Sequence, residues 1–246
     1  MGVAVMAPEL PDVRVVAAIP AYNCARTVSD AVRGVRAQGL EAVVVDDGST
    51  DETAPRAEAA GAVVLRHATN LGKGEALVTA FKFALEHPLS GVLTLDADGQ
   101  HDPADAPALV AEHRAHPEAL VLGTRAMQAV PPLRRFGNET ANFWINLFLG
   151  RGDGNARVAD TQTGYRLYPA ALLRAARVTT QRFETETELL LWAGKLGLDI
   201  RGVPIRTIYG EERSNFRNAT DALRMIRLVL RSPLWRVPPP PPPPRA

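Results

Sequence analysis

The sequence predicts an α/β fold, a mostly parallel sheet flanked by helices in a single domain that ends in an amphipathic helix. Three observations carry this. Short apolar runs alternate with longer amphipathic stretches through the first half of the chain. Each run is continuous rather than alternating, as in strands buried on both faces. The connections are short, which lays successive strands parallel through right-handed crossovers. At 246 residues the chain can bury a substantial core, about 70–75% of its unfolded surface for this size.

Val13–Ile19 is the first strand and ends in Pro20-Ala21-Tyr22-Asn23; Thr27–Gln38 is the first helix. Ala42–Val45 is the second strand and runs into Asp46-Asp47-Gly48-Ser49-Thr50-Asp51, where Asp51 or Ser49 caps the helix Asp51–Ala60. Strand Ala62–Leu65 leads through Asn70-Leu71-Gly72-Lys73-Gly74 to the helix Gly72–His87. Strand Gly91–Leu95 runs into Asp96-Ala97-Asp98-Gly99-Gln100-His101. Asp102 is the N-cap of the helix Pro103–His116, with proline at its first position. Ala119–Leu122 is the fifth strand.

After residue 123 the rhythm breaks. Gly123–Gly137 reads as a loop rich in arginine, Asn138–Leu149 as an apolar helix and Asn155–Leu167 as loop plus strand. Thr185–Leu196 reads as a helix, Asp199–Ile205 as a strand and Arg217–Arg231 as the last helix. Residues 1–12 are an N-terminal extension, 13–231 the domain and 232–246 a proline-rich tail. Pro238–Pro244 is a polyproline II segment.

Composition excludes several classes. Lys plus Arg is 28 and Asp plus Glu 27, a net charge of +1, so no bulk field favours nucleic acid. Hydrophobic residues at 46% argue for a folded chain. The single cysteine, Cys24, excludes an intrachain disulfide and suits a reducing compartment. No apolar run has membrane-spanning length, and the first residues lack a basic leader. The expectation is a cytoplasmic protein.

The polar residues cluster at the carboxyl ends of the strands, where open parallel sheets bind ligands. Asp96 and Asp98, two apart on an extended segment, point the same way. They suit Mg²⁺ or Mn²⁺ completed by phosphate oxygens; the alternative is an Asp-Gly turn. Asp46 and Asp47 exceed what capping needs, so one can accept from a base or ribose. Gly72-Lys73-Gly74 is either a turn opening a helix or a place where Lys73 meets ribose or phosphate. Thr185-x-x-Glu188 has the form of a capping box. Glu184 and Glu186 remain to orient an acceptor or its arginines. Asp160 can pair with Arg166 or with an arginine of the 125–135 loop.

Together these segments resemble the inverting family-two glycosyltransferases, and most of all the dolichol-phosphate (polyprenyl-phosphate) mannose synthase group. The later motifs agree in order: Gly123-Thr124-Arg125, Arg134-Arg135-Phe136-Gly137-Asn138, Asp160 to Arg166, Phe183-Glu184-Thr185-Glu186 and Ser214-Asn215-Phe216-Arg217. The chain departs from the group at Cys24, where Glu is frequent, and at Asn215, where His is frequent.

The resemblance implies a GT-A (Rossmann-like) domain and a GDP- or UDP-sugar donor, with residues 13–123 as the nucleotide-sugar half and 124–216 as the acceptor half. Pro20, Tyr22, Asn23, Asp47, Lys73, Asp96 and Ala97 would contact the donor. Asp96, Asp98 and Gln100 would hold the metal. Arg125 and Arg135, helped by Arg213, would grip the phosphate of a polyprenyl phosphate. Asp98, Arg125, Arg135 and Glu186 would form the catalytic set. A phosphate monoester with a second pKa of ~6 is already anionic near neutrality and needs no base; a hydroxyl acceptor needs one, with Glu184 or Glu186 first in line. A nucleotidyltransferase lacks support because the segment after the first strand is not a Gly-rich phosphate loop. The remaining alternative is a non-catalytic nucleotide-sugar-binding module.

In the last helix Arg217, Arg224, Arg227 and Arg231 fall within about 80° of one face, with Ala219, Leu223, Ile226 and Leu230 opposite. Either the apolar side packs on the core, or the helix and Pro233-Leu234-Trp235-Arg236 meet an anionic membrane from its inner face. A separate membrane-anchoring partner is the other route to a lipid acceptor.

Overall fold

In the computed structural model the described residues are 14–125, 142, 145–147, 158, 160–206 and 218–235, with backbone alone for 218–223 and 226. Val, Ala and Ile dominate the central strand β1 (Val15–Ala21), and it is buried on both faces. On one side it pairs in parallel with β2 (Glu41–Asp46), which pairs in parallel with β3 (Val63–Arg66). On the other it pairs in parallel with β4 (Gly91–Thr94). The crossovers are α1 (Val28–Ala37), α2 (Thr53–Ala59) and α3 (Lys73–Leu85). A 3-10 turn, Pro103–Asp105, and α4 (Ala106–Ala115) lead to β5 (Leu120–Arg125). Asp102 caps that turn as expected, accepting the Ala104 N–H at 2.9 Å.

The second half breaks the parallel pattern. β6 (Arg166–Pro169) inserts between β4 and β5, antiparallel to both. The expected strand ending at Leu167 thus runs two residues further. β7 (Ile200–Ile205) closes the edge in parallel with β5. The seven strands lie in the order β3-β2-β1-β4-β6-β5-β7. The remaining helices are α5 (Ala170–Ala175), α6 (Glu184–Lys195) and α7 (Asn218–Arg231).

Two apolar layers sandwich the sheet. One gathers Leu77 and Phe81 of α3, Leu189 and Trp192 of α6, and Leu228 and Val229 of α7. The other gathers Val28, Val32 and Val35 of α1 with Leu109 of α4. Residues 232–235, which the sequence placed in the tail, continue the body. Ser232 is buried, and Trp235 stacks on Trp192 with centroids 5.0 Å apart. The Lys195 ammonium donates to the Trp235 carbonyl at 2.7 Å. Leu230 and Leu234 stay exposed beside the exposed Arg224, Arg227 and Arg231. Among the described residues no helix is long and apolar enough to cross a membrane. The N-terminal extension, the polyproline segment, most of the helix expected at Asn138–Leu149, and Arg134, Arg135, Arg213, Asn215 and Arg217 lie outside the described residues.

Candidate active site

The site is assembled where β4 ends. β4 ends at Thr94, and Ala97 to Gly99 form the turn that the sequence offered as the alternative, with Asp96 just before it, Asp98 within it, and Leu95 and Ala97 buried. The Asp98 carboxylate accepts the Gln100 backbone N–H at 3.0 Å and the Gln100 side-chain amide at 2.9 Å. Gly99 supplies the left-handed turn between them, with φ 81°. The Asp96 N–H donates to His101 Nδ1 at 3.0 Å. The Ala97 carbonyl accepts the Thr27 hydroxyl at 2.5 Å.

Lys73, the first residue of α3, reaches into the same place. Its ammonium lies 2.6 Å from Asp96 Oδ1 and 3.0 Å from Glu186 Oε2. The two glycines around it allow this. A Cβ on Gly72 would lie 2.7 Å from the Gln181 carbonyl, and one on Gly74 would overlap Thr185 Oγ1. The start of α3 therefore rests directly on the segment that opens α6, and the Glu75 N–H donates to the Gln181 carbonyl at 3.0 Å. Burial alone would pull the Lys73 ammonium down, but the carboxylates of Asp96 and Glu186 more than reverse that and hold it above its usual range. Burial likewise works to raise Asp96, and above all the charge and hydrogen bond of Lys73 outweigh it, leaving the carboxyl below its usual range.

The first two strands contribute a scaffold. Asn23, at φ 52°, donates its N–H to Ser49 Oγ at 2.9 Å and accepts the Thr50 N–H at 2.9 Å. It fastens the end of β1 to the turn after β2, with Pro20 inside β1 and Tyr22 exposed at the rim. Asp51 accepts from the N–H and hydroxyl of Thr53 at 3.0 and 2.5 Å, as a residue ordering the start of α2 does. Asp46 accepts the Ser49 N–H at 2.9 Å and lies 3.1 Å from Arg66 Nε. The buried Asp47 accepts the N–H groups of Leu71 and Gly72 at 2.9 and 2.8 Å and lies 2.7 Å from His67 Nδ1. Its carboxylate shapes the loop that delivers Lys73.

In the second half, Asp160 takes Arg125 rather than Arg166. Arg125 Nε lies 2.7 Å from Asp160 Oδ2 and Nη2 lies 3.0 Å from Oδ1. Burial pushes the Asp160 carboxyl up, but its hydrogen bonds from Arg125 and that guanidinium's charge hold it below the usual range. Arg166 is fully buried and donates to the carbonyls of Thr163, Glu186 and Thr161 at 2.6, 2.6 and 2.9 Å. The expected capping box does not form. Helix α6 begins one residue earlier, at Glu184, with Phe183 at the cap. Glu188 instead accepts the N–H groups of Thr179 and Thr180 at 3.0 and 2.9 Å, together with both hydroxyls. It still satisfies backbone donors, but in the loop ahead of the helix. Among the described residues, Glu184 Oε2 and Glu186 Oε1 are buried with no hydrogen-bond partner.

Among the described residues no three His, Cys, Asp or Glu side chains converge as a metal cage. Two carboxylates at a strand end instead suit a hard divalent ion that takes its other ligands from a bound diphosphate. Gly164 makes room for the arrangement, because a Cβ there would lie 2.7 Å from Asp96 Oδ2 and 3.1 Å from Lys73 Nζ. Sequence reasoning missed the Lys73–Asp96–Glu186 cluster and the role of Arg166. An arginine in the buried run Arg166-Leu167-Tyr168 was the one available signal for the latter.

Residues 16–176 match the family model for glycosyl transferase family 2. An uncharacterised protein of Methanocaldococcus jannaschii is 35% identical over 78% of this chain and 81% of its own length. A UDP-N-acetylglucosamine–dolichyl-phosphate N-acetylglucosaminyltransferase of Methanococcus voltae is 29% identical over 78% of this chain and 85% of its own. The crystal structure of glucosyl-3-phosphoglycerate synthase from Mycobacterium tuberculosis, in complex with Mn²⁺, UDP and phosphoglyceric acid, superposes with a TM-score of 0.67. It is 24% identical and covers 91% of this chain and 78% of that one. The chain belongs to glycosyltransferase family 2, is a glycosyltransferase, and has the GT-A fold that its motifs imply.

Proposed function

We propose that this enzyme transfers a hexose from a nucleotide-sugar to a polyprenyl or dolichyl phosphate, with a divalent ion, Mg²⁺ or Mn²⁺, held by Asp96, Asp98 and Gln100. One observation carries the reading. An acidic pair stands at the end of β4, and Arg125, at the end of β5, is fixed by a buried carboxylate. The Methanococcus relative, whose name specifies a UDP-sugar and dolichyl phosphate, supports it. The Mycobacterium structure, with Mn²⁺ and UDP, supports the metal.

In this reading Pro20, Tyr22, Asn23, Asp47 and Ala97 line the nucleoside side of the cleft, and Lys73 faces the diphosphate. Arg125, with Arg135 and Arg213, neutralises the acceptor phosphate. That phosphate carries its second negative charge above a pKa of ~6, so its oxygen attacks without a base. A single in-line displacement inverts the sugar carbon. Fixed positive charge offsets the repulsion between two phosphates, and preorganised electrostatics of this kind is often the largest catalytic contribution. When bound, the metal ion neutralises charge on the departing nucleoside diphosphate.

A transfer assay with a short-chain polyprenyl phosphate, a panel of UDP- and GDP-sugars, and Mg²⁺ or Mn²⁺ tests this. The expected result is metal-dependent glycolipid that Asp98→Asn abolishes. Glycolipid formed equally by Asp98→Asn would overturn the metal assignment. The buried, unpartnered oxygens of Glu184 and Glu186 favour a second reading, a hydroxyl acceptor deprotonated by one of them. That reading requires Glu186→Gln or Glu184→Gln to abolish turnover while donor binding survives. The exposed Leu230 and Leu234 beside Arg224, Arg227 and Arg231 support peripheral contact with an anionic inner membrane face. Flotation with anionic liposomes, lost in Leu230→Ser/Leu234→Ser, checks it; retained flotation of the variant assigns the contact elsewhere on the chain, and no flotation of wild type leaves a membrane-anchoring partner as the route to lipid.

A further inference from the structure

The Lys73 ammonium sits on the carboxylate that the proposed metal would share. It lies 2.6 Å from Asp96 Oδ1, and its second partner, Glu186 Oε2, is 3.0 Å away. The side chain is more than four-fifths buried and begins at the first residue of α3. It is therefore a seated cation rather than a surface lysine that happens to reach an acid. Gly72 and Gly74 press that helix start onto Gln181 to Thr185, and Gly164 closes on the other oxygen of Asp96. The backbone on both sides of the carboxylate is thus packed. A divalent ion bound to Asp96 needs an oxygen at about 2.0–2.2 Å. An ammonium at hydrogen-bond distance from Oδ1 and a divalent ion on the same carboxylate would stand a few ångströms apart in a partly buried site. Like charges at that separation repel strongly where water screens them poorly.

We propose that Lys73 is the resident counter-cation of Asp96, and that a divalent ion reaches this carboxylate only by exchanging with the ammonium, which the diphosphate of an incoming nucleoside diphosphate takes over. The site thereby keeps Asp96 neutralised when no donor is bound, and it couples metal uptake to donor uptake. Glu186 holds the other side of the ammonium, so the exchange is felt at the first turn of α6, the acceptor side of the cleft. The inference rests on the metal reading above and adds the order of events. Coupling of this kind is reciprocal: if the nucleotide tightens the metal, the metal tightens the nucleotide by the same factor.

The test is direct Mn²⁺ binding to the full chain, followed by loss of the free-ion EPR signal, without any transfer reaction. Wild type, Lys73→Met, Lys73→Gln, Lys73→Arg and Asp98→Asn are each titrated with and without UDP. Without nucleotide, the two neutral variants are expected to bind Mn²⁺ at least about tenfold more tightly than wild type. Lys73→Arg keeps the charge and is expected to bind as wild type does. The gain in affinity that UDP brings is expected to shrink in both neutral variants. Two substitutions of different polarity guard against one of them failing to fold. Equal nucleotide-free affinity in wild type and the folded neutral variants would overturn the exchange while leaving the metal site standing. Absence of Mn²⁺ binding by wild type even with UDP, or undiminished binding by Asp98→Asn, would remove the metal reading and the exchange together.

Discussion

Arg125 and Asp160 form a two-pronged ion pair, 2.7 Å from Nε to Oδ2 and 3.0 Å from Nη2 to Oδ1, that ties the end of β5 to the loop preceding β6. Paired geometry of this kind fixes a guanidinium plane as well as its charge. Asp160 also accepts the Gln162 N–H at 3.1 Å, so the loop holds the carboxylate and the carboxylate holds the arginine. In the proposed reading, where Arg125 meets the acceptor phosphate, Asp160 acts through Arg125 as a positioning residue. Asp160→Asn keeps the shape and loses the charge. It is expected to lower kcat/KM for the phosphate acceptor by ~10²-fold, as a misplacement near 1 Å does, while leaving nucleotide affinity unchanged. Steady-state kinetics with the acceptor varied, beside calorimetry with UDP, separates the two. An equal loss in nucleotide affinity would place Asp160 in overall stability instead.

Arg166 carries a full charge in the core, and three nitrogens of its guanidinium group each donate to a backbone carbonyl, those of Thr163, Glu186 and Thr161. The guanidinium is thus the solvent for a loop and for the first turn of α6. The Glu186 carbonyl keeps its bond within α6, but Arg166→Met leaves the carbonyls of Thr161 and Thr163 without their guanidinium donor, at ~1–3 kcal/mol each, so a loss of at least about 2 kcal/mol is expected. Urea unfolding measures it as a lower midpoint at unchanged slope. A loss below about 1 kcal/mol would mean the loop finds other donors.

The first five strands were legible because each contains an unbroken apolar run; β1, β2, β4 and most of β5 are buried, as a parallel sheet covered on both faces demands, whereas β3 forms the edge and Val63 is exposed. Their C-terminal ends shift by one to three residues: Pro20, Ala21 and Asp46 extend the ladders of β1 and β2, Arg66 extends β3, and Gly123 to Arg125 extend β5 along β7. β6 was not legible as an antiparallel insertion. Its partners Gly91–Thr94 and Val121–Leu122 lie far away in the chain, and nothing local encodes that pairing. The same holds for the site. Asp96 and Asp98 lie two apart just beyond one strand's end and could be read as a pair. Lys73 meets Asp96 and Glu186 together only because two helix starts are packed together through glycine. The capping box failed for a related reason: Glu188 found better donors in Thr179 and Thr180, a tertiary choice that its spacing from Thr185 does not reveal.

Gly74→Ala tests that packing. The added Cβ would overlap Thr185 Oγ1 and would lie 2.5 Å from the Gln181 carbonyl carbon and 2.6 Å from the Arg182 carbonyl oxygen. Two of these three neighbours are backbone, so trimming Thr185 cannot relieve the clash. Overpacking typically costs ~1–3 kcal/mol. Here it also draws Lys73 away from Glu186. The expected outcome is a lower thermal midpoint together with weaker UDP binding, neither rescued in Gly74→Ala/Thr185→Ala. Full rescue by the double substitution would show that the hydroxyl alone sets the contact.

His101 provides the pH prediction. Its Nδ1 accepts the Asp96 N–H at 3.0 Å, so its proton resides on Nε2, and its ring lies 5.1 Å from that of Tyr165. Burial pushes its pKa down to about 4; Asp96 opposes this, while the charges of Lys73 and Arg125 add to it. The folded value lies below the ~6.5 of an unfolded histidine, so on acidification the unfolded chain takes up the proton first. The contribution to stability is complete above about pH 6.5 and is lost as pH falls from there through about 4. Its full size is of the order of 3 kcal/mol. Denaturant unfolding at pH 7 and pH 4.5 is therefore expected to show a larger drop for wild type than for His101→Gln, whose side-chain oxygen can accept the same N–H without titrating. An NMR titration of the nucleotide-free protein reads the ring directly. A His101 midpoint near 6.5, or equal drops in the two proteins, would mean that Asp96 is not held by a neutral imidazole.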